Sequence, residues 1–299
     1  MARVLVTGSE GLLGRAVVRR LQGAGHEVTR LDLRAADAAS RGDVRDAGRV
    51  GQAVEDQEGV VHLAAVSRVV WGEQSPGVCR ETNVTALSGL LKAAAASRAR
   101  PWVLFASSRE VYGQAAVLPA TEDTPLAPLN VYGRTKVAGE GLLAEAGAAG
   151  LATASVRLSN VFGDPLDHPD RVVPAFLRAA AAGAALRVDG PACSFDFTYL
   201  DDVVTALLTV TELLARERRS LPPVHLVTGV PTTLGELAAL ALRVTRSQAP
   251  IESLSSRPFD VARFHGDPGR ARALLGWTAE TPLEEGLARL AAALGPRSP

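Results

Sequence analysis

The sequence predicts an α/β fold, in which a doubly wound parallel sheet is followed by a smaller C-terminal α/β lobe. Three observations predict it. A β-branched run ends at a glycine-rich turn, residues 8–14, after which apolar residues recur at helical spacing. Short apolar runs then alternate with helical patterns as far as about residue 160. Finally, 299 residues with 47% hydrophobic content suffice for a large buried core.

Each element of the sheet is predicted from its own pattern. Residues 3–7 form the first strand, and the spacing of Leu12, Leu13, Val17, Val18 and Leu21 predicts a helix up to Gly23. Further strands are predicted at about residues 26–33, 60–64, 102–106 and 152–158, and further helices at about residues 79–97 and 131–148. Strands that alternate with helices of this length form parallel, right-handed βαβ units. Residues 1–160 are therefore predicted to be a Rossmann-type, NAD(P)-binding domain.

The C-terminal part, residues 161–299, shows a looser pattern of shorter elements. Prolines punctuate it at Pro165, Pro169, Pro174, Pro191, Pro222, Pro223 and Pro231. No linker separates it from the first part, so we predict a smaller substrate-binding lobe that is interleaved with the sheet domain and does not fold independently. Ligands of open α/β sheets bind at the carboxyl ends of the strands, which is where we expect this lobe to close.

The composition excludes several functional classes. A net charge of zero gives no field that would attract nucleic acid or an anionic membrane, so small molecules are the expected partners. The two cysteines, Cys79 and Cys193, form neither a disulfide framework nor a metal-ligand spacing, which predicts a reducing compartment and no metal. No apolar stretch is long enough for a bilayer and no leader precedes Arg3, so a cytoplasmic location is expected.

The glycine-rich turn predicts a dinucleotide site. Gly8, Gly11 and Gly14 lie between the first strand and the first helix, where glycines allow a tight turn and the helix N-terminus can meet a pyrophosphate. Asp32, at the end of the second strand, is placed to accept hydrogen bonds from the adenosine ribose hydroxyls. An acid there repels a 2′-phosphate, so NAD is predicted; Arg15 and Arg34 leave NADP possible.

A polar turn at residues 42–46 is a second candidate for cofactor contact. Asp43 is placed to accept from an adenine amino group, with Val44 beside it. The alternative is a structural role, in which Asp46 caps the following helix. The two interpretations are compatible.

The catalytic candidates are Tyr132, Lys136 and Ser108. Tyr132 and Lys136 are four residues apart at the start of a predicted helix and therefore share one face. A nearby ammonium favours the phenolate and lowers the pKa of a tyrosine from its reference value near 10, which makes it a usable acid or base. Ser107 and Ser108 are predicted directly after the fourth strand, where the Ser108 hydroxyl can orient a carbonyl or alcohol against Tyr132.

At this point the chain resembles the extended short-chain dehydrogenase/reductases, specifically the nucleotide-sugar epimerase/dehydratase family. The matching stretches cover nearly the whole length: residues 8–14, 42–46, 62–65, 83–84, 107–113 (SSREVYG), 132–136, 157–163 (RLSNVFG), 196–203 (DFTYLDDV) and 274–277. The resemblance implies a Ser108, Tyr132, Lys136 triad, a nucleotide sugar contacted by Asn160 and Arg257, and a homodimer formed through the helices that begin near Cys79 and Val131. The cofactor residues that it adds to those above are Glu10, Leu12, Leu63, Ala64, Ala65 and Asn83.

Two positions depart from the family pattern. Phe195 stands where the family usually has an arginine that binds diphosphate, so other arginines such as Arg171 or Arg187 would hold the substrate, or the substrate lacks a nucleotide. Sugar dehydratases of the family carry an Asp-Glu pair where this chain has Arg109 and Glu110. Glu110 is either a proton acceptor beside a transient ketone or a carboxylate that pairs with Arg109, and the structural role is slightly favoured.

Four functions follow from these residues. The leading hypothesis is an epimerase that acts through a transient ketone; the alternatives are a net ketoreductase or dehydrogenase, a dehydratase or decarboxylase that uses Glu110, and a non-catalytic nicotinamide-binding protein. His62 and His225 each follow a valine in a predicted strand and are expected to be structural. The pair Asp201 and Asp202 is expected to cap a helix after a strand that ends near Leu200.

Overall fold

The computed structural model describes residues 1–256 and 261–295, and its contacts divide the chain into two compact units. The first consists of Met1–Gly113, Pro125–Leu158 and Val204–His225. The second consists of the described residues of Gln114–Thr124, Ser159–Val203 and Leu226–Pro299. The chain thus crosses between the units several times, and Val204–His225 cluster with the first unit although they follow the boundary predicted at residue 160.

The sheet of the first unit consists of the strands β1 (Arg3–Thr7), β2 (Glu27–Leu31), β3 (Gly59–His62), β4 (Trp102–Ser108), β5 (Thr153–Leu158) and β9 (Val224–Leu226). Their order in the sheet is β2-β1-β3-β4-β5-β9. The pairs from β2 through to β5 are parallel. Its helices are α1 (Leu12–Gly23), α2 (Ala47–Val54), α3 (Val69–Gln74), α4 (Pro76–Arg80), α5 (Ala86–Ala96) and α6 (Val131–Ala148). The predicted doubly wound α/β architecture is confirmed.

The second unit is built around β8 (Ser194–Tyr199). It pairs in parallel with β6 (Asn160–Phe162) and β12 (Arg263–Phe264), and antiparallel with β10 (Pro231–Thr233). A separate parallel pair joins β7 (Leu186–Asp189) and β11 (Ile251–Leu254). The helices are α7 (Val172–Ala181), α8 (Leu200–Glu217, most of which clusters with the first unit), α9 (Leu234–Thr245), α10 (Gly269–Leu275) and α11 (Leu283–Leu294). Among the helices described, none has the length and apolar character needed to cross a membrane.

Several predicted boundaries shift by one or two residues, and one shift concerns the candidate site. Ser107 and Ser108 were expected after the fourth strand, but they are its last two residues. The ladder continues this far because β5 also continues, pairing Ser107 with Arg157 and Ser108 with Leu158. The predicted helix at 79–97 is a continuous helical segment whose middle turn, Glu81–Thr85, has π geometry. Such turns are frequent at functional sites.

Asp196, on β8, is a buried carboxylate that organises the second unit. It is 0% exposed and accepts hydrogen bonds from the Thr228 N–H and hydroxyl, both at 2.9 Å, and from the Gly229 N–H at 2.7 Å. We expect Asp196→Ala to lower the free energy of unfolding by about 3 kcal/mol, because these donors lose a charged acceptor. Denaturant unfolding measures the change, with the exposed Asp189→Ala on β7 as the control; equal midpoints for the two variants would contradict it.

Candidate active site

The glycine-rich loop leaves β1 and enters α1 with almost no space around it. Gly8 has φ 71° and its N–H donates to the Leu31 carbonyl at 2.8 Å. A Cβ on Gly8 would lie 2.6 Å from the Ala64 nitrogen, and one on Gly14 would lie 2.0 Å from the Gly8 oxygen. Gly11 precedes α1 and has no side chain to cap it, so the first N–H groups of the helix can receive an anion.

Asp32 is fixed at the carboxyl end of β2 by the loop itself. Its carboxylate accepts from the Glu10 N–H at 2.9 Å and from the Arg34 N–H at 2.8 Å, and the residue is 5% exposed. The Arg34 guanidinium lies 3.6 Å from the same carboxylate with its side chain exposed. Arg15 donates to the Glu10 carbonyl and so braces the loop. The Asp32 carboxylate is thus held at this end of the sheet by two backbone N–H donors.

The turn after Asp32 contains the second predicted contact. Both carboxylate oxygens of Asp43 accept from the Arg45 side chain, and this hydrogen bonding holds the pKa of Asp43 below its ordinary value. Val44 beside it is buried. Asp46 accepts from the Arg49 N–H at 3.0 Å and caps α2, so the structural role predicted for it is confirmed. Contact of Asp43 with an adenine stays a prediction.

The segment after β3 is held from two sides. Thr7 accepts the Leu63 N–H through its carbonyl and the Ala64 N–H through its hydroxyl. From the other side, the Asn83 amide accepts the Val66 N–H at 2.8 Å and donates to the Val66 carbonyl at 3.0 Å. Asn83 was predicted to contact the cofactor; what the structure shows is an amide that orients residues 63–66.

Asn83 also donates to the Thr135 hydroxyl at 3.0 Å. Because Thr135 is on α6, this bond links the π turn to the catalytic helix. Thr135 was not identified from the sequence, although it lies between the two catalytic candidates of α6.

Tyr132 and Lys136 lie in the first turns of α6, which Asn130 caps by accepting the Gly133 N–H at 2.8 Å. Lys136 is 4% exposed; its ammonium donates to the Ala106 carbonyl at 2.7 Å and lies 5.6 Å from the Tyr132 ring centroid. Burial lowers the pKa of Lys136 to about 8. A cation is therefore held next to the tyrosine in a poorly solvated position, where its electrostatic effect is strong.

Ser108 lies two residues beyond Ala106 on the same face of β4, because side chains alternate along a strand. It is 8% exposed, and its hydroxyl accepts the Glu110 N–H at 3.2 Å. The hydrogen bond between Lys136 and Ala106 ties α6 to β4 close to this serine. All three predicted catalytic residues thus belong to the first unit, and one hydrogen bond joins the helix of Tyr132 and Lys136 to the strand of Ser108.

Glu110 lies in the short turn Arg109–Tyr112 and is already bonded on both sides. One oxygen is 3.0 Å from the Arg109 guanidinium, and the other accepts from the Asn130 amide at 2.7 Å. These contacts join the turn to the N-cap of α6. They favour the structural role over the catalytic one, and the catalytic assignment of Glu110 stays a prediction.

Asn160, the described residue of the second unit that was predicted to contact the substrate, lies on β6. Asn160 is half-buried at the start of β6, opposite Phe197. Phe195 is buried and pairs with Thr232 and Phe264 in the sheet. Arg257 lies outside the described residues.

The two arginines offered in place of the family arginine that is missing at Phe195 differ in their surroundings. Arg171 is 3.3 Å from the Asp167 carboxylate, whereas Arg187 is exposed on β7. Contact of either side chain with substrate stays a prediction.

The residues expected to be structural have structural partners. The His62 Nδ1 is 2.8 Å from the Thr7 hydroxyl, and the His225 Nε2 is 2.5 Å from the Tyr112 hydroxyl. Asp202 lies in the first turn of α8, which begins at Leu200 itself, and accepts the Thr281 N–H at 2.9 Å. The expectation that Asp201 and Asp202 cap this helix is therefore wrong, because α8 starts before both residues. In the part of the chain that is described, no cluster of three acidic, histidine or cysteine side chains could hold a metal.

Comparisons with known sequences cover nearly all of the chain. Residues 4–220 match the NAD dependent epimerase/dehydratase family. A UDP-glucose 4-epimerase of Mycolicibacterium smegmatis is 32% identical over 307 residues, which cover 96% of each protein. The low-salt glycan biosynthesis protein Agl12 of Haloferax volcanii is 33% identical over 95% of this chain and 96% of its own.

Solved structures are similar over the same extent. MoeE5, in complex with UDP-glucose and NAD, has a TM-score of 0.89 and 31% identity over 97% of each chain. The UDP-glucose 4-epimerase of Brucella ovis, in complex with NAD, has a TM-score of 0.90 and 27% identity over 99% of each chain. At this coverage, the similar region includes parts of both units.

Proposed function

The chain belongs to the NAD-dependent epimerase/dehydratase family, and on that premise we propose that it epimerises a nucleotide sugar at a carbinol carbon through a transient ketone. The observation that carries the proposal is the buried ammonium of Lys136, one helical turn from Tyr132 and tied to the strand that ends at Ser108. Of the relatives described above, two are named UDP-glucose 4-epimerase and one is solved with UDP-glucose. A UDP-hexose is therefore the proposed substrate class.

The residues of the first unit fit NAD. The close approach at Gly8 and Gly14 is one that only glycine permits, and it leaves the start of α1 open to a pyrophosphate. Asp32 presents a carboxylate for ribose hydroxyls and repels a 2′-phosphate, which favours NAD over NADP. The remaining contacts proposed are with Glu10, Gly11, Leu12, Asp43, Val44, Leu63, Ala64, Ala65, Tyr132 and Lys136, with Asn83 acting through residues 63–66.

In the proposed reaction Tyr132 takes the proton of a sugar hydroxyl while Ser108 holds that oxygen by a hydrogen bond. Bound NAD supplies the reversible hydride acceptor for the same carbon. Lys136 stabilises the tyrosine phenolate by charge, which brings its pKa towards the working pH. The ketone is then presented by its other face, where the hydride would return to the same carbon, and Tyr132 returns the proton to the oxygen of the new alcohol.

The first test is the content of the purified protein and its product. We expect near-stoichiometric NAD on denaturation, measured by mass spectrometry, and conversion of UDP-glucose to UDP-galactose without net NADH. NADH formed in proportion to substrate would replace the proposal with a net dehydrogenase. Purified protein that binds only exchanging NADPH would point to a ketoreductase and to Arg34 as its phosphate ligand.

The pH dependence of turnover should report Lys136. Its ammonium is needed in the charged form, and burial lowers its pKa to about 8, so kcat is expected to fall as the pH rises above that value. The measurement is kcat of the holoenzyme from pH 6 to 10 at saturating substrate. A Lys136→Met variant is expected to lose this alkaline limb together with most of the activity. An alkaline limb that persists in Lys136→Met would assign it to another group.

The same proposal includes a homodimer formed through α5 and α6, which pack against each other. The face of α6 turned away from the sheet carries small, exposed residues, Ala138, Gly141 and Ala144. Sedimentation equilibrium should give twice the chain mass, and Gly141→Arg should give a monomer; a monomeric wild type would contradict the dimer. A cytoplasmic location is proposed with it, supported by the free thiol of Cys79.

A further inference from the structure

A buried network of charged and polar groups lies beside the catalytic residues in the first unit. Arg157, on β5, donates through Nε and Nη2 to the two oxygens of Glu140 at 2.9 and 2.6 Å. Ser107 donates to the same carboxylate at 2.5 Å. Arg157 also donates through Nη1 to the Tyr112 hydroxyl at 2.6 Å, and that hydroxyl is 2.5 Å from His225 Nε2. None of these groups is used by the mechanism above.

The position of Glu140 connects this network to the reaction centre. Glu140 follows Lys136 by four residues on α6, as Lys136 follows Tyr132, so the three side chains share one face of the helix. Its partner Ser107 is the neighbour of Ser108 on β4. One carboxylate is therefore bonded to the strand that carries the catalytic serine and lies one turn from the catalytic lysine.

Glu140 is one half of a buried ion pair. The side chains of Glu140 and Arg157 are 9% and 5% exposed, and arginine stays protonated at every accessible pH. A bidentate arginine stabilises the ionised carboxylate, so this position holds a negative charge in a poorly solvated interior.

The other titratable groups near Lys136 do not supply such a charge. Burial raises the pKa of the Cys79 thiol on α4, and burial lowers the pKa of His62 on β3 to about 3, so both are neutral near pH 7. Tyr132 is the acid that reacts. Among these neighbours Glu140 is the carboxylate that is paired with an arginine, and its charge opposes the effect of burial on the Lys136 pKa.

We propose that Glu140 is a positioning residue of the active site, whose carboxylate fixes the Ser107–Ser108 end of β4 and keeps the Lys136 ammonium charged. The inference rests on the proposed function, in which Lys136 acts as a cation. It assigns to the ion pair of Glu140 and Arg157 a role in the reaction in addition to its role in packing.

The composition provides a direct test, because Lys92 and Lys136 are the chain's two lysines. Protein labelled with ¹³C at the lysine side chains gives two Cε resonances, and exposed Lys92 serves as the internal reference. We expect Glu140→Gln to lower the Lys136 pKa by about 1 pH unit, because an amide keeps the shape and removes the charge. Glu145→Gln, an exposed carboxylate on the same helix, should leave it unchanged.

The second measurement is turnover of the holoenzyme with UDP-glucose. In Glu140→Gln the alkaline limb of kcat should move to lower pH by the same amount, with about eightfold less activity at pH 8.5 and KM within about threefold. An NMR titration of Lys136 that is identical in wild type and Glu140→Gln would overturn the inference. Since the titration needs no substrate, absence of turnover in the wild type would count against the proposed function alone.

Removing one partner of a buried ion pair destabilises a protein strongly, whereas replacing both partners with uncharged residues is often tolerated. If Glu140→Gln does not fold, Glu140→Gln with Arg157→Met is the variant to titrate. It lacks the carboxylate and also the guanidinium, whose charge has the opposite effect on an ammonium, so the Lys136 pKa should again fall, but by less than in Glu140→Gln alone. An unchanged pKa in this double variant would also overturn the inference.

Discussion

Tyr132→Phe is expected to bind NAD and the nucleotide sugar and to lose turnover by about 10²- to 10⁴-fold, because the substitution deletes the proton-transferring hydroxyl and little else. The ring itself is 9% exposed on α6 and remains in place as phenylalanine. The Lys136 ammonium keeps its hydrogen bond to the Ala106 carbonyl, which does not depend on the hydroxyl. Steady-state kinetics should show the loss in kcat, with KM within about threefold of the wild type.

Tyr199→Phe is the matched control for this variant. Tyr199 is a buried tyrosine of β8 whose ring contacts Phe162 edge-on, 5.6 Å between centroids. It has no assigned role in the reaction, so its turnover should equal that of the wild type while NAD content is the same in all three proteins. Turnover of Tyr132→Phe within twofold of the wild type would show that another group moves the proton.

Local patterns were sufficient to predict the elements that carry the catalytic helix. The boundaries of α6 agree with the expected residues 131–148, and Asn130 gives the helix a side-chain cap at its N-terminus. The i,i+4 spacing of Tyr132 and Lys136 is a local feature, so it survives folding unchanged. The strand β4 was predicted two residues too short, because its length is set by pairing with β5, which lies about 50 residues further along the chain.

The network of Glu140, Arg157 and Ser107 was not predicted either, because it too depends on residues that are distant in sequence. Ser107 and Arg157 meet Glu140 across 33 and 17 residues of sequence, and no periodicity records such a pairing. Two signals were nevertheless present in the sequence. Glu140 continues the four-residue spacing of the catalytic pair, and Arg157 is a charge within a strand predicted to be buried on both faces, which requires a partner.

The division of the chain into two units shows a further limit of prediction from sequence. The sequence pattern of α8 predicts a helix but does not say to which unit that helix belongs. Most of α8 clusters with the first unit, as does most of β9, which extends the sheet beyond β5, and both relations are long-range properties. The contact with diphosphate predicted for Arg257 is untested in another way, because that residue lies outside the described part of the chain.

Gly14→Ala is expected to lower the free energy of unfolding by about 2 kcal/mol or more and to reduce NAD retained through purification at least tenfold. The added Cβ would lie 2.0 Å from the Gly8 oxygen and 2.8 Å from the Ser9 Cα, and both are backbone atoms of the loop. A flexible side chain could move away, but here the loop itself must shift. That shift displaces the N-terminus of α1, where the pyrophosphate is proposed to bind.

Gly23→Ala is the control within the same helix, because a Cβ there meets nothing within 4 Å. Alanine has the better helix propensity, so this variant should unfold at slightly higher denaturant concentration, by about 0.5–1 kcal/mol, with full NAD content. The two substitutions are thus expected to change the free energy of unfolding in opposite directions, although they lie nine residues apart on one helix. If Gly14→Ala kept wild-type NAD and stability, the close packing of loop against helix would not be what forms the cofactor site, and Asp32 with residues 63–66 would have to carry it.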